Sequence, residues 1–219
     1  RKNQESIGLD DIEEAVERSI AGLAQKSRHL SEKERRRIAF HEGGHALCAA
    51  ALPHADPVQK ISIIPRGKGA LGYTMQTPQR DHSLYTYNQL YSKLIILFGG
   101  RAAEEHIYSD YTTGAADDIS RASSLARQMI RKYGMSKEMG PVSFEREEQS
   151  FVQELSPNLI AKLDQEESQI LKEAYKHAQK IIEDNAVLLK ELETKLLDLE
   201  TLSGTELENL LSRTQEHIF

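Results

Sequence analysis

A mainly α-helical protein with a small antiparallel β-sheet of two or three short strands is predicted by three features of the sequence. A helix start signal at Ser31 opens an uninterrupted helical pattern that runs to Leu52. Apolar residues recur at one-turn spacing over 84–108, 115–133 and 157–213. Between these helical stretches lie two short β-rich runs, KISII and LGYTMQT, separated by the turn-forming Pro65-Arg66-Gly67-Lys68-Gly69.

In chain order, residues Ile7 to Leu23 read as an amphipathic helix with Ile12, Val16 and Ile20 one turn apart, belonging to a preceding unit. The next helix starts at Ser31. Glu34 follows three residues later, so each side chain can satisfy an orphan backbone donor of the other in a capping box. Pro53 stops this helix, because proline has no N–H to donate and disfavours helix in the residue before it. Residues 60–77 supply the strands, with the β-branched and aromatic content that a pleated surface favours. Helical periodicity returns from Leu84 to Tyr108, with Leu84, Tyr87, Tyr91, Leu94, Ile95 and Phe98 on one face. A loop at Ser109 to Gly114 leads to a helix over Ala115–Tyr133, closed by Gly134. Ser156-Pro157 is a cap and first-turn proline pair. The residues that follow, 157–213, read as helical throughout, with breaks near Asn185 and at Ser203-Gly204.

The 219 residues suffice for one catalytic core with a helical appendage. A net charge of -6 gives no basic footprint for nucleic acid. The longest apolar run, beginning at Leu94, is too short to cross a bilayer, so the sequence predicts a soluble fragment. It opens on Arg1 within a charged segment, as if cut from a longer chain. One cysteine, Cys48, fits a reducing compartment. The RGKGALG stretch lacks the spacing and the Ser or Thr of a phosphate-binding loop, so no ATP is expected to bind here in that manner.

The chemistry concentrates at HEGGH, His41 to His45. Two imidazoles four residues apart on a helix project from one face about one turn apart, close enough for one Zn2+. Glu42 lies on the adjoining face, where it would contact the metal-bound water as general base while that water attacks a peptide carbonyl. Gly43 and Gly44 each cost a helix about 0.5–1 kcal/mol relative to alanine, which points to close approach by another element. A catalytic zinc needs a third protein ligand. The extended motif with a downstream histidine fails, because positions 48 and 51 are Cys48 and Ala51. Cys48 lies about 10 Å along the helix from His41, too far to share its metal, and reads as a small buried residue. His54, Asp56, His82 and His106 qualify by type only. Among carboxylates, Glu104, Glu105, Asp117 and Asp118 remain open.

At these residues the sequence resembles the FtsH-type ATP-dependent, membrane-anchored zinc proteases. The resemblance runs from IEEAVERSIAG through RRIAFHEGGHALCAA, KISIIPRG, LGYTMQTP, LFGGRAAEE and TTGAADDISRAS to YGMSKEMGPV and the C-terminal helices. It implies a multihelical metalloprotease domain with its sheet beside the HExxH helix, and Asp118 as third zinc ligand beside His41 and His45. Glu42 is then the catalytic base, and Glu104 and Glu105 become supporting residues. Gly72, Tyr73 and Thr74 resemble the edge strand that holds an extended peptide. Gly43 stands where the family commonly has alanine. The resemblance also implies a division into residues 1–28, the tail of an ATPase lid and connector, and 29–219, the protease domain. Within the latter, 29–140 is the catalytic core and 157–213 a helical assembly region. A homo-hexamer is implied, with one Zn2+ per chain and ATP used by the full-length protein but not bound by this fragment. So is a membrane anchor outside this stretch, in a bacterial inner membrane with the protease domain cytoplasmic, or an organelle equivalent. Its substrates would be unfolded and membrane polypeptides. The rival expectation is a catalytically vestigial zinc-binding assembly domain, against which an intact Glu42 argues.

Overall fold

A computed structural model describes residues 30–67, 71–77, 83–144 and 155–219, together with positions 8, 15, 18, 19, 22 and 23. The helix expected over Ile7 to Leu23 and the residue His82 lie outside the described residues, apart from those few positions. Among the described residues there are six α-helices and three strands. The protein is mainly α with a small antiparallel sheet, as the sequence predicts.

Helix α1 spans Glu32–Ala51 and begins with the predicted capping box: Ser31 Oγ accepts from the Glu34 N–H, and Glu34 Oε2 accepts from the Ser31 N–H at 2.8 Å. It ends at Ala51, two residues before Pro53, with Leu52 as an extended cap. Helix α2, Tyr87–Tyr108, starts later than the periodicity suggests. Thr86 and Gln89 form a second capping box that fixes the start, so Leu84 falls ahead of the cap and is 87% exposed instead of facing the core.

These two helices cross at glycines. A Cβ on Gly44 would lie 2.3 Å from the Gly99 carbonyl oxygen, and one on Gly99 would lie 2.5 Å from that of Gly44. Backbone therefore meets backbone, which only residues without a Cβ permit. Leu47, Leu94 and Ile95 fill the space on either side of the crossing and are fully buried.

Strand β1 (Val58–Ser62) is central in a sheet of order β2-β1-β3. Strand β2 (Tyr73–Gln76) pairs antiparallel with it, Ser62 opposite Tyr73 and Ile61 opposite Thr74. Strand β3 (Thr201–Ser203) pairs on the other side, Ile61 opposite Leu202. This third strand corrects the expectation that 157–213 is helical except at two breaks. Glu200 turns left-handed at φ 59°, the chain extends so that Leu202 is buried beside Ile61, and Gly204 at φ 61° begins another helix.

Helix α3, Ala116–Arg131, follows a single 3-10 turn, Thr113–Ala115. It is tied to α4, Pro157–Asp184, where Arg131 pairs with both Glu167 and Asp164. Asn185 supplies the predicted break between α4 and α5 (Ala186–Leu199). Its side chain donates to the Ile181 carbonyl and accepts from the Gln215 N–H. Helix α6, Gly204–Leu211, closes the fold. One hydrophobic core runs through α1, α2, α4 and α5 and includes Leu47, Ile181 and Leu189, all fully buried. The helices of 157–213 thus form part of the support beneath HEGGH.

Candidate metal centre

Helix α1 carries His41 and His45 on one face, their ring centroids 4.8 Å apart. Each imidazole is aimed by helix α2. His45 Nδ1 donates to the Ile96 carbonyl at 2.7 Å, and His41 Nδ1 bonds Glu104 Oε1 at 2.8 Å. With Nδ1 engaged, both rings turn Nε2 to a common point. Gly100 permits this, because a Cβ there would stand 2.5 Å from His41 Nε2.

Asp118 reaches the same point from the first turn of α3. Its Oδ2 lies 3.3 Å from both Nε2 atoms, and its side chain is 16% exposed. Neighbouring Asp117 is 83% exposed and faces Arg121. Among the described residues, the histidine, cysteine and carboxylate groups whose ligand atoms converge are His41, His45 and Asp118, all within 4.8 Å of one another. A tetrahedral zinc with bonds of about 2.05 Å has ligand-to-ligand edges of about 3.3 Å, which the two Nε2-to-Oδ2 distances match, and two imidazoles with a carboxylate are donors that zinc takes. His54 and His106 are exposed elsewhere, and neither they nor Asp56 joins the group. Cys48 is fully buried against Gly99, and burial pushes its thiol well above the usual range.

Glu104 organises more than the His41 ring. While Oε1 holds His41, Oε2 accepts the Thr112 N–H at 2.9 Å, and Arg37 lies 3.7 Å away. The Thr112 hydroxyl also donates to Oε1 at 3.3 Å and caps the turn leading into α3. One carboxylate thus orients the first imidazole and anchors the loop that delivers Asp118. Glu105 instead accepts from Tyr175 and Gln179 on α4.

The charges are strongly coupled. Burial alone would lower the His41 pKa, but its bonds to Asp118 and Glu104 reverse this and hold it up to about 10. Burial opposes ionisation of Asp118 and Glu104 too, yet the imidazole contacts keep both below the usual carboxylate range. Glu42, 7% exposed, has the opposite balance: burial raises it, and His45, His41 and a hydrogen bond from Thr74 only partly offset that. The chain just ahead of strand β2 closes over this carboxylate, since a Cβ on Gly72 would lie 2.8 Å from Glu42 Cγ and Oε1. Sequence reasoning missed the Ile96 carbonyl and the Thr112 N–H, because main-chain groups leave no residue signature. Arg37, one turn before His41, did leave one in its spacing.

An HExxH helix whose imidazoles meet a carboxylate from a second helix defines a metallopeptidase-type centre. Residues 28–210 match the model of peptidase family M41, and the chain belongs to that family. It is similar to the ATP-dependent zinc metalloprotease FtsH of Thermotoga maritima, 42% identical over 226 aligned positions that cover 100% of this chain and 37% of that protein. The protein of the same name from Pseudothermotoga lettingae is 44% identical over 96% of this chain and 35% of its own length. ATP-dependent zinc metalloprotease FtsH 4 of Synechocystis is 42% identical over 98% and 36%. The chain spans about a third of the length of these curated relatives. Its class is that of a metalloprotease hydrolase.

Proposed function

We propose that this chain is the zinc endopeptidase unit of a membrane-anchored, ATP-dependent protease that degrades unfolded and membrane proteins. His41 and His45 through Nε2 and Asp118 through Oδ2 would hold the zinc. When bound, the ion supplies a Lewis acid that polarises the scissile carbonyl and acidifies water. Glu42 takes the proton from the water whose oxygen bonds to the carbonyl carbon, and passes it to the departing amine as the peptide C–N bond breaks. The outer edge of β2, with Gly72 just ahead of it and Tyr73 and Thr74 within it, receives the peptide in extended form through main-chain pairing.

The carrying observation is the convergence of two Nε2 atoms and one carboxylate oxygen, with a buried Glu42 on the same helix. The similarity to ATP-dependent zinc metalloproteases supports the wider reading. In it, residues 1–28 connect to an ATPase module that uses the ATP, 29–140 form the catalytic core, and 157–213 contribute to a homo-hexamer. The anchor lies outside this chain. Among the described residues no helix is long and apolar enough to cross a membrane.

The test is hydrolysis of unfolded casein by the zinc-loaded protein and by Glu42→Gln. The variant is expected to retain zinc and lose turnover. Full activity in Glu42→Gln would refute the base assignment, and retention of zinc by Asp118→Ala would refute the ligand set.

A further inference from the structure

We propose that Thr74 is a positioning residue for the base, its hydroxyl fixing the Glu42 carboxylate from the edge strand; this rests on the reading of Glu42 as the base. Thr74 sits opposite Ile61 in the β1–β2 ladder. Cross-strand partners share a face of the sheet, and Ile61 is fully buried, so the Thr74 side chain is turned toward helix α1 and not toward a peptide on the strand edge. There Oγ1 lies 2.9 Å from Glu42 Oε2 and 3.0 Å from the Glu42 carbonyl oxygen. The hydroxyl spans the main chain and the carboxylate of one residue, which ties the side-chain torsions between them.

A second restraint acts from the residue just ahead of the strand. The Gly72 backbone lies so close to Glu42 Cγ and Oε1 that a side chain there would displace them. Oε2 is held by a donor while Oε1 is confined by backbone. A base must be kept within about 0.5 Å of its working position, and a glutamate on a helix has several rotamers to choose from. Strand β2 selects one. Thr74, named from sequence as a residue that touches substrate, thereby acts through Glu42, while the strand's outer edge remains for the peptide.

The test compares Thr74→Val, Thr74→Ser and Glu42→Gln in the full chain loaded with zinc. Valine keeps the β-branched shape and loses the donor. Since the lost bond goes to a charged group, kcat is expected to fall about 10- to 100-fold, with KM and zinc stoichiometry unchanged. Serine restores most of the rate. A crystal structure of Thr74→Val should show the Glu42 carboxylate displaced from its wild-type position. An unchanged kcat, an effect confined to KM, a loss as large in Thr74→Ser, or an unmoved Glu42 overturns the inference. Should Thr74→Val fail to fold, Thr74→Ala takes its place with the same expected kcat loss. If Glu42→Gln is inactive while the Thr74 variants lacking the hydroxyl are not, the base stands and only the role of Thr74 falls. If Glu42→Gln is fully active, the base assignment itself has failed.

Discussion

Replacing Gly44 by alanine should damage both stability and metal binding, and the structure sets the size of the effect. The new methyl would lie 2.3 Å from the Gly99 carbonyl oxygen and 2.7 Å from Ala103 Cβ. Ordinary contact begins near 3.4 Å, so α1 and α2 must part by about 1 Å at the crossing, since close-packed backbone has no side-chain end to yield. Overpacking of this kind costs about 3 kcal/mol, offset by about 1 kcal/mol of helix propensity gained over glycine. The net loss of about 2 kcal/mol lowers Tm by roughly 4–8 °C for a chain of this size. The same displacement would stretch the bonds from His45 to Ile96 and from His41 to Glu104, now 2.7 and 2.8 Å, beyond hydrogen-bond range. Loss of such orienting partners lowers metal affinity about 10–100-fold. Gly43→Ala is the control. Its methyl would meet the Leu189 Cδ1 terminus at 3.2 Å, which can shift by a few tenths of an ångström, so the outcome is neutral to about 1 kcal/mol stabilising. Calorimetry and zinc competition with a chromophoric chelator measure both quantities. If Gly44→Ala matched wild type in Tm and zinc affinity, the glycine crossing would not be what sets the histidine geometry.

Glu104→Ala should still reach one zinc per chain at saturating metal, with affinity about 10–100-fold weaker, whereas Asp118→Ala should not reach stoichiometry; equal behaviour of the two in a zinc titration would contradict their separate placements. In the metal-free protein His41 holds its proton up to about 10, and ligation requires the neutral ring. Zinc affinity should therefore keep rising with pH between about 6.5 and 8; a plateau above the usual imidazole value of about 6.5 would refute this. Removing zinc with a chelator should cost about 2.7 kcal/mol when free zinc had been a hundredfold above Kd, read as a drop in Tm. Arg131→Ala leaves the buried Glu167 carboxylate with only the longer, more exposed Arg127 contact at 3.6 Å and should destabilise by about 1 kcal/mol in urea unfolding, discounted for that remaining partner and for the partial exposure of both arginines.

The helices were readable because their signals are local. Ser31 with Glu34, Pro53, and Ser156 with Pro157 lie within a turn of the ends they determine, and the structure places those ends within a residue or two. Leu84 misled because an apolar residue in phase with a helix carries no mark of which side of the cap it occupies. Strand β3 was illegible for a different reason. Thr201-Leu202-Ser203 is too short to show alternation, and what makes it a strand is the waiting edge of Val58–Ser62, far away in the chain. Pairing partners at that separation leave no pattern in either segment alone.

The candidate site divides along the same line. His41, Glu42 and His45 are legible because one helix sets their spacing, and the glycines among them announce a close neighbour that proves to be Gly99. Asp118 and Asp117 are adjacent residues of one type in one helical turn, so periodicity gave no choice between them, and only resemblance singled one out. The physical difference lies in the approach of α3, set by the Thr112 loop bonded to Glu104 and by Arg131 gripping α4 at the far end. Rotating α3 by the 100° that separates neighbouring residues would exchange the two aspartates. The third donor is thus specified by two polar anchors at opposite ends of a helix. Because Glu104 serves the His41 ring and the Asp118 loop together, a disturbance of either is transmitted to the other through a single carboxylate.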